Sequence, residues 1–439
     1  MPHCIIAGGG LAGMAAAAAL GEAGFQVELF EARPFLGGRA ASYGYPTAGG
    51  VETIDNCQHI LLRCCVNLLD FYRRLGVANR IRFYREFHFL EPGGRRSRLA
   101  PGVLPPPAHF AGSFFRLKFL SWSDKMAVAR GLRAILQGSA SPELDSLTMA
   151  QWLASQGQPR RAVDRFWRPI LLSAVNEELD RMAAAHGFQV FRLGFLGGPE
   201  SSEMGVPEVG LSQLYAAGQW QRFPNVRIRT GEKIERFRFA GNRAAAVVAK
   251  GAEHEADYFI CAVPHHHLPA VAPEIPLDLT PFQHSPITGI HLWFDRPVTD
   301  LPHAALLDRT IQWFFNKREG RYLQLVVSAS RSLTELPRAE VIGLALRELR
   351  EFLPGAREAK LEKAHVVKEM RATFSAVPGL ASARPGPRTR FPNFFLAGDW
   401  TATGWPATME GAVRSGYLAA EAVSEAAGRA AKFLIPGVT

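Results

Sequence analysis

The chain has 439 residues, 47% hydrophobic and 21% charged, with 50 Lys and Arg against 40 Asp and Glu for a net charge of +10. That apolar share excludes wholesale disorder, glycine and proline without period exclude collagen-like and coiled-coil forms, and ~150 residues per domain suggests two or three domains. Five cysteines without C-x-x-C spacing exclude a disulfide scaffold and a cysteine zinc site, and point to reduced thiols in a cytoplasm.

His3–Ala7 is a short apolar run, expected to be a strand, and Gly8-Gly9-Gly10-Leu11-Ala12-Gly13 follows at once. An alanine-rich stretch from Met14 to Ala23 has high helix propensity, Gly24 is a stop, and Gln26–Phe30 alternates like a strand before Glu31. Met1–Ala19 lacks the basic start of a signal peptide. Each glycine has a distinct task in a strand–turn–helix–strand unit. Gly8 permits the tight turn, Gly10 lets backbone approach a pyrophosphate, and Gly13 lets helix and strand pack closely. The helix N-terminus offers N–H groups to phosphate, and Glu31 is placed to accept the hydroxyls of an adenosine ribose.

Further along, Asn67–Gly76 is expected to be an amphipathic helix with Leu68, Phe71, Tyr72 and Leu75 on one face. Residues 102–137 hold Pro105–Pro107, then Phe110, Phe114, Phe115, Leu117, Phe119, Leu120 and Trp122 with Arg116 and Lys118 among them. A basic amphipathic helix over Asp124–Leu136 follows, with Lys125, Arg130 and Arg133 set against Met126, Ala129, Leu132 and Ile135. Such a segment either lies in a bilayer interface or lids the protein's own core. The net positive charge tilts the expectation towards an anionic membrane surface. Basic runs are short and carry no nucleic-acid motif, so no nucleic-acid partner is expected. No stretch reaches the ~18 to 20 apolar residues of a membrane span. The expected location is therefore the cytoplasm, free or peripheral on the inner face of the cell membrane. His265-His266-His267 superficially resembles a metal tract. Adjacent imidazoles on a loop point apart and no acid-rich partner is nearby, so no metal is expected.

Glu31-Ala32-Arg33 leads to Gly37-Gly38-Arg39, and near the other end Asn393–Ala397 is an apolar run followed by Gly398-Asp399 and by Thr408-Met409-Glu410-Gly411-Ala412. These blocks resemble the two FAD motifs of the amine oxidase and phytoene desaturase flavoprotein superfamily. The resemblance implies FAD as cofactor, contacted by Gly8, Gly10, Ala12, Gly13, Glu31, Ala32, Arg33, Gly38, Arg39, Gly398, Asp399, Thr408 and Met409. It also gives Ile234 a backbone contact to adenine. The helix starting near Thr408 would direct its positive end at the flavin edge. The implied fold is α/β, a Rossmann-type FAD-binding domain of the glutathione-reductase-like kind with an inserted α+β substrate domain. The expected FAD-binding domain is residues 1–53, 205–275 and 386–426, and the substrate domain 54–204 and 276–385.

Three middle segments point to a branch: Asp55-Asn56-Cys57-Gln58-His59, Phe166–Asn176, and Pro207-Glu208-Val209-Gly210-Leu211-Ser212. Together they resemble the hydroxysqualene dehydroxylase family of bacterial hopanoid and squalene synthesis, from about residue 3 to about 425. That family implies reductive dehydroxylation of a C30 isoprenoid, with reduced flavin giving hydride to the allylic carbon as water leaves. It also requires an electron donor that the sequence does not name. A leaving hydroxide needs a proton, and Asp55 and His59 are the titratable candidates in the segment expected beside the flavin. For Asp55 the alternative is a turn or cap, and for His59 a structural hydrogen bond. A carotenoid-type desaturase shares the fold, cofactor, apolar tunnel and membrane access and differs chiefly in the direction of electron flow. An amine oxidase is less compatible, because Thr408 stands where that family carries a cage aromatic. A non-catalytic escort for prenylated proteins is opposed by Glu31 and Gly398-Asp399.

Overall fold

The computed structural model describes residues 1–47, 50–138 and 142–437. It opens with β1 (His3–Ala7), α1 (Leu11–Glu22) and β2 (Gln26–Glu31), then a hairpin of β3 (Ser42–Thr47) and β4 (Gly50–Asp55), and α2 (Val66–Arg74). Next come β5 (Phe87–Leu90), β6 (Arg96–Leu99), α3 (Trp122–Gln137), α4 (Arg168–Val175), β7 (Val226–Thr230) and β8 (Tyr258–Cys261). The last third contributes β9 (His284–Phe294), β10 (His303–Leu306), β11 (Trp313–Arg318), β12 (Tyr322–Ser328), β13 (Leu361–Phe374), β14 (Phe394–Leu396) and α5 (Met409–Ala426).

One sheet has the order β7-β2-β1-β8-β14, and each of its pairings is parallel. Parallel sheets are covered on both faces, which is why β1 is an unbroken apolar run with Cys4–Ala7 all buried. The expected strand–turn–helix–strand unit is present. Its helix begins at Leu11, earlier than the alanine run suggested, because Gly10 already acts as N-cap. Helix α1 is buried from Leu11 to Gly21, so something must cover it all round. Helix α5 does so at close range: a Cβ on Gly416 would run into the Ala12 carbonyl oxygen. The apolar face of α2 (Leu68, Phe71, Tyr72) joins the same buried cluster. Two carboxylates fix it there. Glu410 on α5 accepts from the Leu68 N–H at 2.7 Å and the Asn67 side-chain amide at 2.8 Å, capping α2 from outside. Asp70 accepts from the Tyr417 hydroxyl at 2.8 Å and Arg74 Nε at 2.6 Å.

The division expected at residue 53 is displaced in both directions. Helix α2 packs with the first sheet, because its apolar face needs a partner and the small residues of α1 and α5 provide one. The β3–β4 hairpin reaches the other way: Tyr45 stacks on Trp293 with centroids 6.1 Å apart, and Trp293 Nε1 donates to Glu52 at 3.3 Å.

The second large sheet has the order β13-β9-β12-β11-β10-β5-β6. It is antiparallel except at β10–β5. One face is closed by the helix Arg338–Phe352, whose Val341, Ala345 and Leu349 pack with Ile290, Leu323 and Leu325. Phe87, Phe89, Trp313 and Phe315 join Phe166, Trp167 and Phe195 in another cluster. Helix α4 ends at Asn176, which is left-handed with φ 58°. Its side chain donates to Ser285 O at 3.1 Å and Thr373 Oγ1 at 2.8 Å and accepts from the Ala329 N–H at 2.7 Å. Glu177 follows, fully buried and held by both terminal nitrogens of Arg331 at 2.7 Å.

Residues 102–137 are part lid and part surface. Phe114, Leu117, Phe119 and Leu120 face the core, as do Val128 and Ile135 of α3. The helix is turned from the expected register: Lys125 points inward and donates to Phe115 O at 2.8 Å, whereas Met126 faces out. A buried ammonium is tolerable because it finds that carbonyl. Val103 (102% exposed), Trp122 (66%) and Phe115 (38%) stand in solvent together with Leu104, Met126 and Leu136. No helix among the described residues is long and apolar enough to cross a membrane.

Candidate active site

The ends of β1, β2 and β8 open onto a long cleft. Gly8 has φ +110°, and a Cβ there would lie 2.7 Å from Ala262 O, so only glycine makes this turn. Gly10, with extended backbone, caps α1 without a side-chain bond, and a Cβ on it would meet nothing within 4 Å. It faces the cleft. Gly13 faces away, and a Cβ there would run into the Gly8 carbonyl oxygen. Gly13 therefore acts through packing and touches no ligand space. The three glycines carry the three separate tasks of a pyrophosphate-binding turn.

Glu31 at the end of β2 is held by backbone: Oε2 accepts from the Gly9 N–H at 2.7 Å and Oε1 from the Arg33 N–H at 2.8 Å. Each oxygen keeps a lone pair for a ribose hydroxyl. Gly37 N–H donates to Gly9 O at 2.9 Å, which folds the second glycine pair over the first. Arg39 then spans the cleft, bonding Ala372 O at 2.8 Å and Asp399 Oδ1 at 2.6 Å. Asp399 follows β14. The loop after it is gathered by buried Arg384, which donates to the carbonyls of Asp399 at 2.7 Å and Trp405 at 2.6 Å. Burial pulls its guanidinium down to about 10, against the nearby carboxylates of Asp399 and Asp145. Thr408 caps α5 by accepting from the Gly411 N–H at 3.0 Å, so α5 presents its positive end to the cleft.

Gly8, Gly10, Ala12, Glu31, Ala32, Arg33, Gly38, Arg39, Ile234, Gly398, Asp399, Thr408 and Met409 all line this cleft, as does His59. The sequence reading missed Cys57, Lys233, Glu369 and Thr373, which line it as well. Glu369 and Thr373 come from β13, where nothing but strand alternation could have marked them.

The two residues expected to handle protons separate. Asp55 is buried and lies outside the cleft wall: Oδ1 accepts from Ser42 Oγ at 2.7 Å and the Leu211 N–H at 3.0 Å, and Lys317 Nζ is 3.9 Å from Oδ2. This carboxylate ties β4 to the 211–214 turn, so the expected catalytic role for Asp55 is corrected to a structural one. His59 lines the cleft, with Nδ1 2.9 Å from the Cys57 carbonyl. A carbonyl can only accept, so Nδ1 carries the proton and Nε2 is the acceptor of the neutral ring. Burial pulls the His59 pKa below its ordinary value, although the Cys57 bond and the charge of Asp55 oppose this.

Beside the cleft is a second cavity, walled by Leu62, Phe87, Phe89, Leu99, Leu193, Phe195 and Trp313 among others. Its walls are almost wholly apolar, as a site for a hydrocarbon requires. Ile60, Ser173, Ala174, Thr408 and Met409 line both spaces, so the apolar cavity meets the cleft at the start of α5. The Ser173 hydroxyl there donates to Pro169 O at 2.6 Å and accepts from Trp313 Nε1 at 2.7 Å.

Residues 11–424 match the family described as flavin-containing amine oxidoreductase. The chain belongs to this family. It is 30% identical to the hydroxysqualene dehydroxylase of Rhodopseudomonas palustris, over 97% of this chain and 99% of that one. It is 28% identical to the 15-cis-phytoene desaturase of an Oncidium hybrid, over 95% of this chain and 77% of that one. An oxidoreductase from Methanosarcina mazei shares the fold, with TM-score 0.71 and 19% identity over 94% of this chain and 98% of that one. This chain is an FAD-dependent oxidoreductase of mixed α/β fold. Its cleft fits the cofactor. The open face of Gly10 leaves room for a pyrophosphate at α1, Glu31 stands ready for the ribose, and α5 points a helix N-terminus at the far end.

Proposed function

We propose that this flavoenzyme removes the hydroxyl of hydroxysqualene to give squalene. The allylic C–O bond breaks, a C–H bond forms, and two electrons and two protons are taken up as water leaves. The observation that carries this reading is the apolar cavity meeting the cleft beside Thr408 and Met409. The 30% identity across almost the whole of both chains supports it. FAD, when bound, supplies the two-electron exchange. The cavity walls bind the hydrocarbon by removing it from water, worth roughly 25 cal/mol per Å² of apolar surface. They also exclude water from the junction. Ser173, with its hydroxyl proton and one lone pair engaged, holds Trp313 in place there. His59 keeps its proton at Nδ1 for the Cys57 carbonyl, leaving Nε2 as the atom that exchanges a proton with the reacting group.

One feature favours a second reading, oxidative desaturation of a polyene: a neutral imidazole accepts a proton more readily than it gives one. Product analysis separates the two. Reduced enzyme turning hydroxysqualene into squalene, with no conversion of phytoene by the oxidised enzyme, supports dehydroxylation; the opposite pattern establishes desaturation. Leu193→Glu places a charge in the cavity wall and is expected to raise KM at least about tenfold while leaving the flavin content unchanged, since a buried unpaired charge costs several kcal/mol. Steady-state kinetics with the flavin-to-protein absorbance ratio checks it.

The exposed apolar residues of 103–136, interleaved with Arg116, Lys118, Arg130 and Arg133, support peripheral docking on an anionic bilayer. Phe110 links this segment to the cavity, with its ring 6.0 Å from that of Phe195. Replacing Phe115 and Trp122 by Ser removes up to about 1.5–3 kcal/mol of burial each. Co-sedimentation with phosphatidylglycerol vesicles should then fall at least about tenfold. Unchanged sedimentation would rule this surface out.

A further inference from the structure

The fold does to the histidine tract what the chain alone could not. His265 and His266 begin the short turn after β8, and His284 is the first residue of β9. One ring nitrogen from each of these three lies within 4.8 Å of the other two. Among the described residues, no other set of three His, Cys, Asp or Glu side chains brings its donor atoms this close. His265 and His284 lie nearly parallel, with centroids 5.1 Å apart, and His266 stands across both at 86° and 84°. The Nδ1 atoms of His266 and His284 are buried and have no hydrogen-bond partner. Buried ring nitrogens without a partner are uncommon, because each forfeits a bond to water. His267 does not join them.

We propose that His265, His266 and His284 form a three-imidazole site for a borderline transition-metal dication, Zn(II) foremost. Zn–N bonds of ~2.0–2.1 Å in a tetrahedral arrangement put donor nitrogens about 3.4 Å apart. The present spacing, within 4.8 Å, must close to that by side-chain rotation on metal binding. All three rings are held in the neutral form that binds metal. Burial is the largest cause, and Arg371 adds to it at each ring; His265 and His266 are brought down to about 4. A backbone hydrogen bond at Thr373 opposes this at His284, and the charge of Asp399 opposes it at both His265 and His284. The charge of Arg371 also repels a cation. The site must therefore select its metal by the strength of the metal–nitrogen bond, which excludes Ca(II) and Mg(II) and favours Zn(II). The metal would pin the turn after β8 to the start of β9, where the chain leaves the first sheet for the second.

The test uses the FAD-loaded full chain, stripped with chelator, dialysed against Zn(II) alone, and assayed for metal by mass spectrometry and calorimetry. One tightly held equivalent is expected. His266→Gln and His284→Gln should each weaken it by more than the roughly 10–100-fold that loss of an outer-shell partner costs. His267→Gln should leave zinc binding unchanged, and flavin content should be the same in His266→Gln and His284→Gln as in the unmodified protein. The unmodified protein gives an independent reading at the zinc K-edge: three imidazole nitrogens near ~2.0 Å and no sulfur near ~2.3 Å. The proposal is overturned by no retained zinc, by sulfur ligation, by retention that survives His266→Gln and His284→Gln, or by equal loss in His267→Gln.

Discussion

Gly10→Val is expected to yield a folded but colourless protein, whereas Gly13→Ala is expected to destabilise the fold itself. The two glycines stand three residues apart in one turn and face opposite ways. At Gly10 the backbone is extended, which valine adopts freely, and a Cβ there meets no protein atom within 4 Å. It projects instead into the space reserved for the pyrophosphate. Flavin affinity should fall on the order of 100-fold, about 2.8 kcal/mol at 1.4 kcal/mol per tenfold. At Gly13 even a methyl group strikes the Gly8 carbonyl oxygen and lies 3.3 Å from Ile6 Cγ2. Backbone cannot rotate away as a side chain can, so the cost should reach at least about 3 kcal/mol, the upper end for overpacking. Flavin absorbance per protein and thermal unfolding check the pair. Full flavin content in Gly10→Val would mean that the cofactor does not approach this turn.

Arg331→Ala is expected to destabilise the protein by up to about 3–5 kcal/mol, because it takes both guanidinium bonds from the Glu177 carboxylate in a site with no access to water and leaves it only Arg181 Nε at 3.4 Å as a charge partner. Burial alone would push the Glu177 pKa up. The bonds from Arg331, Ser375 and the Glu178 N–H outweigh burial and hold it below its ordinary value of 4.5. A depressed carboxyl stabilises the fold fully above pH 4.5 and loses that contribution as pH falls through its folded value. In Arg331→Ala the sign reverses, since burial then dominates and protonation relieves the stranded charge. The gap between the two proteins should therefore be widest near neutral pH and close below pH 4.5. Denaturant titration at several pH values measures this; a gap independent of pH would mean that the pair contributes shape rather than charge.

The glycine turn was legible in the sequence because each of its tasks is local: a turn, a close approach and a packing contact within six residues. The helix start near Thr408 was legible only through the family resemblance; that Thr408 caps it, three residues before the N–H it satisfies, is seen in the structure. The role of Asp55 was not legible, because its partner Leu211 lies 156 residues away. In the sequence, a carboxylate in an Asp-Asn-Cys-Gln-His run cannot be told from a catalytic one. Glu410 hides its role for a similar reason: it sits inside a flavoprotein motif yet spends both oxygens on α2. In the sequence, neighbouring imidazoles of the histidine tract are expected to diverge on their loop. The third imidazole comes from another strand.

The most direct measurement is an anaerobic single turnover of chemically reduced, FAD-loaded protein with hydroxysqualene in detergent, following flavin absorbance and extracted lipid together. The expected result is return of the oxidised flavin spectrum with one squalene formed per flavin. A flavin that stays reduced in the presence of hydroxysqualene, while the oxidised protein is bleached by phytoene, would contradict reductive dehydroxylation and assign the apolar cavity to desaturation.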